Sequence, residues 1–326
     1  MKYEFKFYTR DLYEGLLNLA RNSYQWEIPL VGISRIEFAE SMNKMFCDSA
    51  TAWEKTVGCY SEHGKLVACV WNEACYDGTC FFMFDSKERA QEEVLLVDMI
   101  KFAKTYGAGY KENGRTRYVN LFIPEWNQVL QEVSEAHGMK KGGWTENLTM
   151  FSFEESSYEV CLPEGYAIID GEVTPDLYLA NIHRHAFGYG EGNRATEHGQ
   201  EAFAAMRRMG YYDPKLELCV LDQEKRPVAM ANIWYDTDMP YCELEPLAVC
   251  WWERRKGLAT ALLHEAANRV LERYPNCQGM KGGDQIFYQQ IGYETKATAT
   301  AWYWEAEIFP SWEEDSKNKN YAKEVE

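Results

Sequence analysis

Apolar and polar residues follow two different periods along the first 155 positions. Apolar residues recur every three to four positions in three segments, which predicts helices at Asp11–Ser23, Glu88–Tyr106 and Asn127–Ala136. Short runs rich in aromatic and β-branched residues, bounded by polar turns, predict strands. These strands are Val57–Tyr60, Leu66–Asn72, Thr79–Phe84, Tyr118–Ile123 and Leu148–Phe153.

The second half of the chain repeats the order of elements in the first half. Strands are predicted at Tyr166–Asp170, Leu216–Leu221, Val228–Tyr235, Tyr241–Val249 and Thr298–Ala306, with one short strand more, and helices at Pro175–Phe187, Gly199–Met209, Leu258–Tyr274 and Gln285–Gln290. A polar stretch at 154–159 separates the two copies. The pattern therefore predicts an α+β protein with domains at 1–155 and 156–310, followed by a charged tail at 311–326.

Composition and charge narrow the classes of function. A chain of 326 residues with 46% hydrophobic residues can form two packed domains. The net charge of −17 opposes binding to nucleic acid or to an anionic membrane surface. Two interpretations of this charge remain open: it steers a cationic substrate towards the protein, or it only aids solubility. We predict a cytoplasmic protein, since no run reaches the ~18 apolar residues of a membrane span, no secretory signal is evident, and several cysteines lie in apolar strands.

A basic turn links the predicted strand Tyr241–Val249 to the helix Leu258–Tyr274. It consists of Arg254, Arg255, Lys256, Gly257, Leu258 and Ala259, with Thr260 next. Free N–H groups and the dipole at a helix start favour an anion, and Gly257 allows close approach of a bulky ligand. A pyrophosphate would fit this turn, although the hexapeptide alone is also compatible with a solvated basic surface.

A second motif follows the helix: Phe287-Tyr288-Gln289-Gln290-Ile291-Gly292-Tyr293. Together with the basic turn and its flanking strand and helix, this segment resembles motifs of the GNAT superfamily of N-acetyltransferases, over roughly residues 163–308. The resemblance implies two tandem GNAT folds, each a mixed, mostly antiparallel sheet flanked by helices. It also implies acetyl-CoA as co-substrate, bound by the turn at residues 254–260 and by the backbone of Leu247, Ala248 and Val249, where the strand splays from its neighbour.

Tyr288 lies four residues before Gly292, where the family motif has its acid tyrosine. A phenol with a pKa near 10 is well matched to protonating a departing thiolate. The competing interpretation is a half-buried aromatic residue with its hydroxyl in water.

Glu243 and Glu245 are the candidates for the base that removes a proton from the acceptor ammonium. They lie two residues apart on a predicted strand, and therefore on one face. In some family members a glutamate on this strand acts as the base. Either residue could instead be an edge carboxylate on a polar face of the sheet.

The first half departs from the family pattern. The segment in the place of the basic turn has no glycine and carries Glu88, Glu92 and Glu93, and Ser134 stands in the place of the acid tyrosine. Carboxylates at that position would repel a pyrophosphate. We therefore predict a degenerate N-terminal copy with a structural, pocket-forming role.

These features favour an N-acetyltransferase that acts on a primary amine of a small molecule or peptide by direct attack in a ternary complex. Two alternatives remain: an inactive acetyl-CoA-binding sensor or scaffold, which belongs to another class of function, and a tandem-GNAT aminoacyltransferase, which the basic turn and the net acidity disfavour. The glycine-rich loop Phe187–Gly192 is the predicted specificity loop. No metal site is predicted, since His183 and His185 lie on different faces of their helix. Neither the acceptor nor the oligomeric state follows from the sequence.

Overall fold

The computed structural model describes residues 2–27, 29–40, 49–72, 78–189 and 193–307. The predicted tail at 311–326 and the end of the predicted specificity loop, residues 190–192, lie outside these ranges. The helices are α1 Tyr13–Ser23, α2 Ile33–Glu40, α3 Ser49–Thr56, α4 Glu93–Phe102, α5 Gln128–Ala136, α6 Asp176–Phe187, α7 Asn193–Met206, α8 Leu258–Arg273 and α9 Ile286–Gln290. The strands are β1 Glu4–Phe7, β2 Gly58–Glu62, β3 Lys65–Trp71, β4 Thr79–Phe84, β5 Gly109–Tyr110, β6 Thr116–Pro124, β7 Lys140–Ser152, β8 Ala167–Asp170, β9 Glu217–Leu221, β10 Pro227–Trp234, β11 Cys242–Val249, β12 Gly279–Gly282 and β13 Glu294–Glu307.

All thirteen strands of the described residues belong to one mixed sheet. Their order is β1-β2-β3-β4-β6-β13-β7-β12-β11-β10-β9-β8, with β5 paired to β6. Helices cover the sheet, which confirms the α+β class. For example, α8 buries a row of apolar residues, from Leu258 to Val270, against the strands of the C-terminal half.

The two halves of the chain exchange their last strands. Strand β13, from the C-terminal half, pairs from Ala299 to Glu307 with the whole of β6 of the N-terminal half. Strand β7, from the N-terminal half, pairs with β12 of the C-terminal half and with β13. The halves are therefore joined by backbone hydrogen bonds as well as by the chain. The division at residue 155 stays a prediction about domains within this continuous sheet.

Each half contains one parallel strand pair that diverges after two residues. In the N-terminal half, β4 pairs with β6 only at Thr79 and Cys80. In the C-terminal half, β11 pairs with β12 only at Cys242 and Glu243. Beyond these points the strands separate, and each half has an opening along the edge of one strand.

The predicted helix Glu88–Tyr106 is only partly correct. Residues 89–91 form a 3-10 turn, α4 begins at Glu93, and residues 103–107 form a π-helical turn. The sequence pattern shows helical periodicity but does not distinguish these turns from a continuous helix. Strand β1 and helices α2 and α3 were not predicted. No helix in the described part of the chain is both long and apolar enough to cross a bilayer.

Candidate active site

A cleft of about 1230 Å³ follows the open edge of β11. Its walls come from both halves of the chain. The C-terminal half contributes β11, the basic turn, the start of α8 and the segment from Lys281 to Gln290, and the N-terminal half contributes residues near the start of α2 and on β4, β6 and β7. All the predicted site residues except Lys256 line this cleft.

Strand β11 has an irregular backbone where it leaves β12. Its register against β10 shifts between Leu244 and Leu247, so the strand bulges at Glu245 and Pro246. The Cys250 N–H bonds to β10 at 2.9 Å. Because backbone groups alternate along a strand, those of Leu247 and Val249 point to the open edge. These are the positions at which the sequence predicted backbone contacts to a cofactor.

The basic turn has two residues in the left-handed region of the backbone. Arg255 has φ of 67° and Gly257 has φ of 80°. Among the described residues, no atom beyond the chain neighbours of Gly257 lies within 4 Å of the position that a Cβ on Gly257 would take, so this position is open to a ligand. Ala259 and Thr260, in the first turn of α8, lie beside it along the cleft.

The three cations of the turn have different environments. The Arg254 guanidinium donates to the Ala186 carbonyl at the end of α6 at 2.6 Å. Arg255 is exposed and lines the cleft. The Lys256 ammonium instead forms an ion pair of 2.8 Å with the buried Glu253. Lys256 is therefore the one predicted cofactor residue that faces an internal partner rather than the cleft.

Tyr288 lies in α9, at the inner end of the cleft. Its ring packs against Gly283, where a Cβ would lie 2.6 Å from the ring, and it lies close to Gly282, where the distance to a Cβ would be 3.1 Å. Burial, together with the charge of Glu245, raises the pKa of the phenol, and the Gly283 N–H donates a hydrogen bond to its oxygen. The hydroxyl is thus protonated at neutral pH and can act as a proton donor, although its raised pKa makes it a weaker acid than the phenol with a pKa near 10 that the sequence led us to expect.

Glu243 is 5% exposed and lies beside the start of α2. Its Oε2 atom accepts a hydrogen bond of 2.9 Å from the Ser34 N–H. Its Oε1 atom is buried and has no protein partner among the described residues. Burial raises the pKa of this carboxyl group, although Lys281 and the first N–H groups of α2 counteract the shift. A carboxylate with one committed and one uncommitted oxygen can accept a proton from a ligand.

Lys281 was missed by the sequence analysis. It is the direct neighbour of Glu243 across the β11–β12 pair, and its ammonium donates to the Pro29 carbonyl at 2.6 Å. Burial lowers the pKa of this amine, against the charge of Glu243. The sequence does contain a signal for it. Lys281 lies inside the short strand Gly279–Gly282, between Met280 and two glycines, where a buried cation can be expected.

Glu245 differs from Glu243 in its environment. It is exposed, and it lines the cleft close enough to Tyr288 for its charge to affect the phenol. The two glutamates were predicted to lie on one face, and both do reach the cleft. Their burial separates them, since only Glu243 is removed from water.

The corresponding opening in the N-terminal half is filled by side chains. The cavity between β4 and β6 measures about 20 Å³, close to the volume of one water molecule, and its lining includes Phe84 and Trp126. At the place of the basic turn, Arg89 forms ion pairs with Asp85, Glu62 and Glu92. Carboxylates and their own cation thus occupy the position where a phosphate would bind.

The predicted specificity loop begins at the cleft. Phe187 lines the cleft, while His183 is surrounded by the rings of Phe187, Tyr189 and Phe203. Burial lowers the pKa of His183 to about 4, so its ring is neutral. The histidine supports the packing of this corner.

Comparison with known proteins gives a family for part of the chain. Residues 178–283, which include β11, the basic turn and α8, match the model of the acetyltransferase (GNAT) family. No curated protein sequence gives a significant match.

Solved structures of low sequence identity share the fold over nearly the whole chain. A GCN5-related N-acetyltransferase from Sphaerobacter thermophilus is similar at a TM-score of 0.59 and 13% identity, covering 93% of this chain and 96% of that chain. A tandem GNAT protein from the clavulanic acid biosynthesis pathway is similar at a TM-score of 0.60 and 13% identity, covering 95% of this chain and 99% of that chain. A glucosamine N-acetyltransferase region of a fungal multi-domain β-N-acetylglucosaminidase is similar at a TM-score of 0.53 and 11% identity. The match covers 93% of this chain and 38% of that chain.

Proposed function

Because the chain carries an acetyltransferase domain of the GNAT family at residues 178–283, we propose that it transfers an acetyl group from acetyl-CoA to a primary amine. The observation that carries this proposal is the single cleft that joins three features. These are the anion-binding turn, the open edge of β11, and an inner end with both a proton donor and a carboxylate.

The residues of the cleft fit an extended thioester cofactor. Arg254, Arg255 and the first N–H groups of α8 would hold its pyrophosphate, and Gly257 leaves room for it. The open backbone groups of Leu247 and Val249 would bind the pantetheine arm and polarise the thioester carbonyl. Backbone donors aimed at a developing oxyanion contribute several kcal/mol, on the order of 3, to such reactions.

The inner end supplies the two proton transfers that direct transfer requires. When bound, acetyl-CoA supplies an acetyl group as a thioester. The acceptor ammonium must first lose one proton to become a nucleophile, and we assign this proton to the Oε1 atom of Glu243, which passes it to solvent. As the amine nitrogen then bonds to the acetyl carbon and the carbon–sulfur bond breaks, the hydroxyl of Tyr288 gives its proton to the sulfur and regains one from the nitrogen, which loses its second proton. Glu245 is the alternative base, acting through water.

The N-terminal half has a different role in this proposal. Its own opening is filled, and its residues near α2, β4, β6 and β7 complete the cleft of the other half. We also propose that the protein works in a reducing compartment such as the cytoplasm. The eight described cysteines are all free, and seven of them are buried.

The proposal is tested in two steps on the full chain. Isothermal titration should give saturable binding of acetyl-CoA, and a thiol-release assay should then show turnover with at least one primary amine. Absence of binding at millimolar acetyl-CoA would refute the proposal. Binding without thiol release for any amine would instead support an acetyl-CoA sensor.

A further inference from the structure

The N-terminal half lines the outer part of the cleft with a chain of aromatic rings. Phe81 of β4 and Phe122 of β6 are stacked, with centroids 6.0 Å apart and an angle of 9°. Trp144 of β7 meets the Phe122 ring edge-on at 4.9 Å and 84°. All three residues line the cleft.

Trp144 is the exposed member of this aromatic wall. It is 57% exposed, whereas Phe81 and Phe122 are buried. A large aromatic side chain held at the mouth of a cleft by one edge contact leaves a ring face available to a ligand. Planar apolar groups bind such a face by offset stacking. The acetyl transfer assigned above gives Trp144 no role.

Away from the basic turn, the charges of the cleft favour a cation and oppose an anion. Four carboxylates line this part of the cleft, those of Glu146, Glu243, Glu245 and Asp284, against two cations, Arg35 and Lys281. Both cations already lie beside carboxylates: Arg35 is 3.9 Å from Glu146, and Lys281 is the cross-strand neighbour of Glu243. An acceptor that carried its own carboxylate would add negative charge to a region that is already acidic.

The position of Arg35 strengthens this conclusion. Its guanidinium lies over the Phe81 ring at 5.7 Å, in addition to its ion pair with Glu146. A guanidinium held in this way packs on the aromatic wall and partly neutralises the charge of Glu146, so it offers little free positive charge to a ligand. The part of the cleft away from the basic turn thus combines an apolar aromatic wall with a net negative charge.

We propose that the acceptor is a primary amine on a planar aromatic body without a carboxylate, an arylalkylamine, whose ring stacks on Trp144. The proposal rests on the acetyl transfer proposed above. The amine would point to Glu243, and the aromatic body would lie along the wall that the N-terminal half provides. This assigns the degenerate half a direct part in the choice of substrate.

The first test compares four acceptors on the full chain: tryptamine, tryptophan, hexylamine and spermidine. We expect kcat/KM for tryptamine to exceed that for each of the others by about 10-fold or more, because only tryptamine has both a ring and no carboxylate. Tryptophan tests whether an added carboxylate weakens binding in the acidic cleft, and hexylamine tests whether an aromatic ring is needed. Spermidine tests whether the cleft prefers a polycation to an aromatic amine. Equal or better use of any of these three would overturn the proposal.

The second test uses variants of Trp144. Trp144→Ala should raise KM for tryptamine roughly 5- to 10-fold with kcat nearly unchanged, and should leave KM for hexylamine within about 2-fold. Trp144→Phe should retain most of the tryptamine preference. Tyr110→Ala is the matched control, since Tyr110 is also an exposed aromatic residue of the N-terminal half but does not line the cleft.

The failures of the two proposals can be told apart. If acetyl-CoA binds and amines are acetylated, but Trp144→Ala affects tryptamine and hexylamine equally or not at all, the arylalkylamine proposal is wrong and acetyl transfer stands. If acetyl-CoA does not bind, or no amine releases thiol, both proposals fail.

Discussion

The Ser34 N–H donates a 2.9 Å hydrogen bond to Oε2 of Glu243, across 209 positions of the chain. This bond joins the first turn of α2, in the N-terminal half, to the carboxylate that we assign as the base in the C-terminal half. Because it occupies one oxygen, the other is fixed in direction and lacks a protein partner among the described residues. The N-terminal half thus positions the proposed base.

Gly32 keeps the carboxylate of Glu243 in this position. A Cβ on Gly32 would lie 1.8 Å from Oε1 of Glu243. Gly32→Ala should therefore displace the carboxylate and lower kcat on the order of 10-fold, within the range that a misplaced base costs. Gly15→Ala is the control, because its Cβ would meet only Leu66 at an ordinary 3.6 Å. Equal kcat for the two variants would contradict the positioning role.

The two glutamates can be distinguished by pH. If Glu243 is the base, Glu243→Gln should lower kcat about 10²-fold at neutral pH and regain rate as pH rises, because the free amine no longer needs a base. Glu245→Gln should change kcat much less and keep the profile of the parent protein. Steady-state rates between pH 6 and 10 provide the measurement. The opposite pattern would make Glu245 the base.

Tyr288→Phe tests the proton donor. Loss of the hydroxyl should lower kcat on the order of 10²-fold with a smaller change in KM, because a general acid acts in the transition state. Tyr293→Phe is the matched control: its ring lies 5.0 Å from that of Tyr288, and its buried hydroxyl has no hydrogen-bond partner in the part of the chain that the structure describes. Full kcat in Tyr288→Phe, where chemistry limits the rate, would remove this residue from the mechanism.

Local patterns explain why much of the cleft could be predicted from sequence. Strand β11, its basic turn and α8 form one continuous stretch, and each part has its own signal: an apolar run, a glycine with cations, and helical periodicity. The family resemblance added Tyr288 and the base candidates. The structure brings these residues together along one cleft.

The contribution of the N-terminal half could not be predicted in the same way. The exchange of β7 and β13 depends on pairing between segments more than 100 residues apart, and hydrophobic periodicity does not identify the partner of a strand. The outer part of β7 reads Lys140-Lys141-Gly142-Gly143-Trp144, which resembles a loop in sequence. Trp144 and Arg35 therefore entered the site only with the structure.

Arg255 and Lys256 should differ in their effect on acetyl-CoA binding. Arg255 lines the cleft, whereas Lys256 is paired with Glu253. Arg255→Ala should weaken binding by about 1–2 kcal/mol, more at low salt than at high salt. Lys256→Ala should change Kd less than about 2-fold. Titrations at two salt concentrations measure both, and an equal loss in the two variants would give Lys256 the role predicted from sequence.

The carboxyl group of Glu37 should make the free energy of unfolding depend on pH, independently of catalysis. It lies in α2, where its carboxyl group accepts hydrogen bonds from the Tyr13 hydroxyl at 2.9 Å and from the Tyr211 N–H at 3.0 Å, so it connects the two halves. Burial raises its pKa to about 7 from 4.5, against the effect of these hydrogen bonds.

The native state therefore keeps a proton on Glu37 over a pH range in which the unfolded chain has released it. This group favours folding below about pH 4.5, and its contribution is lost as pH rises through 7, on the order of 3 kcal/mol in all.

Glu37→Gln keeps the polar contacts but cannot ionise. The variant should lie within about 1 kcal/mol of the parent protein in free energy of unfolding near pH 5 and exceed it by about 3 kcal/mol near pH 8. Glu4→Gln, at an exposed strand position, controls for the loss of one negative charge. Urea unfolding at pH 5, 6, 7 and 8 measures the difference, and parallel curves for Glu37→Gln and the parent would show that this carboxyl group does not titrate in the native protein near pH 7.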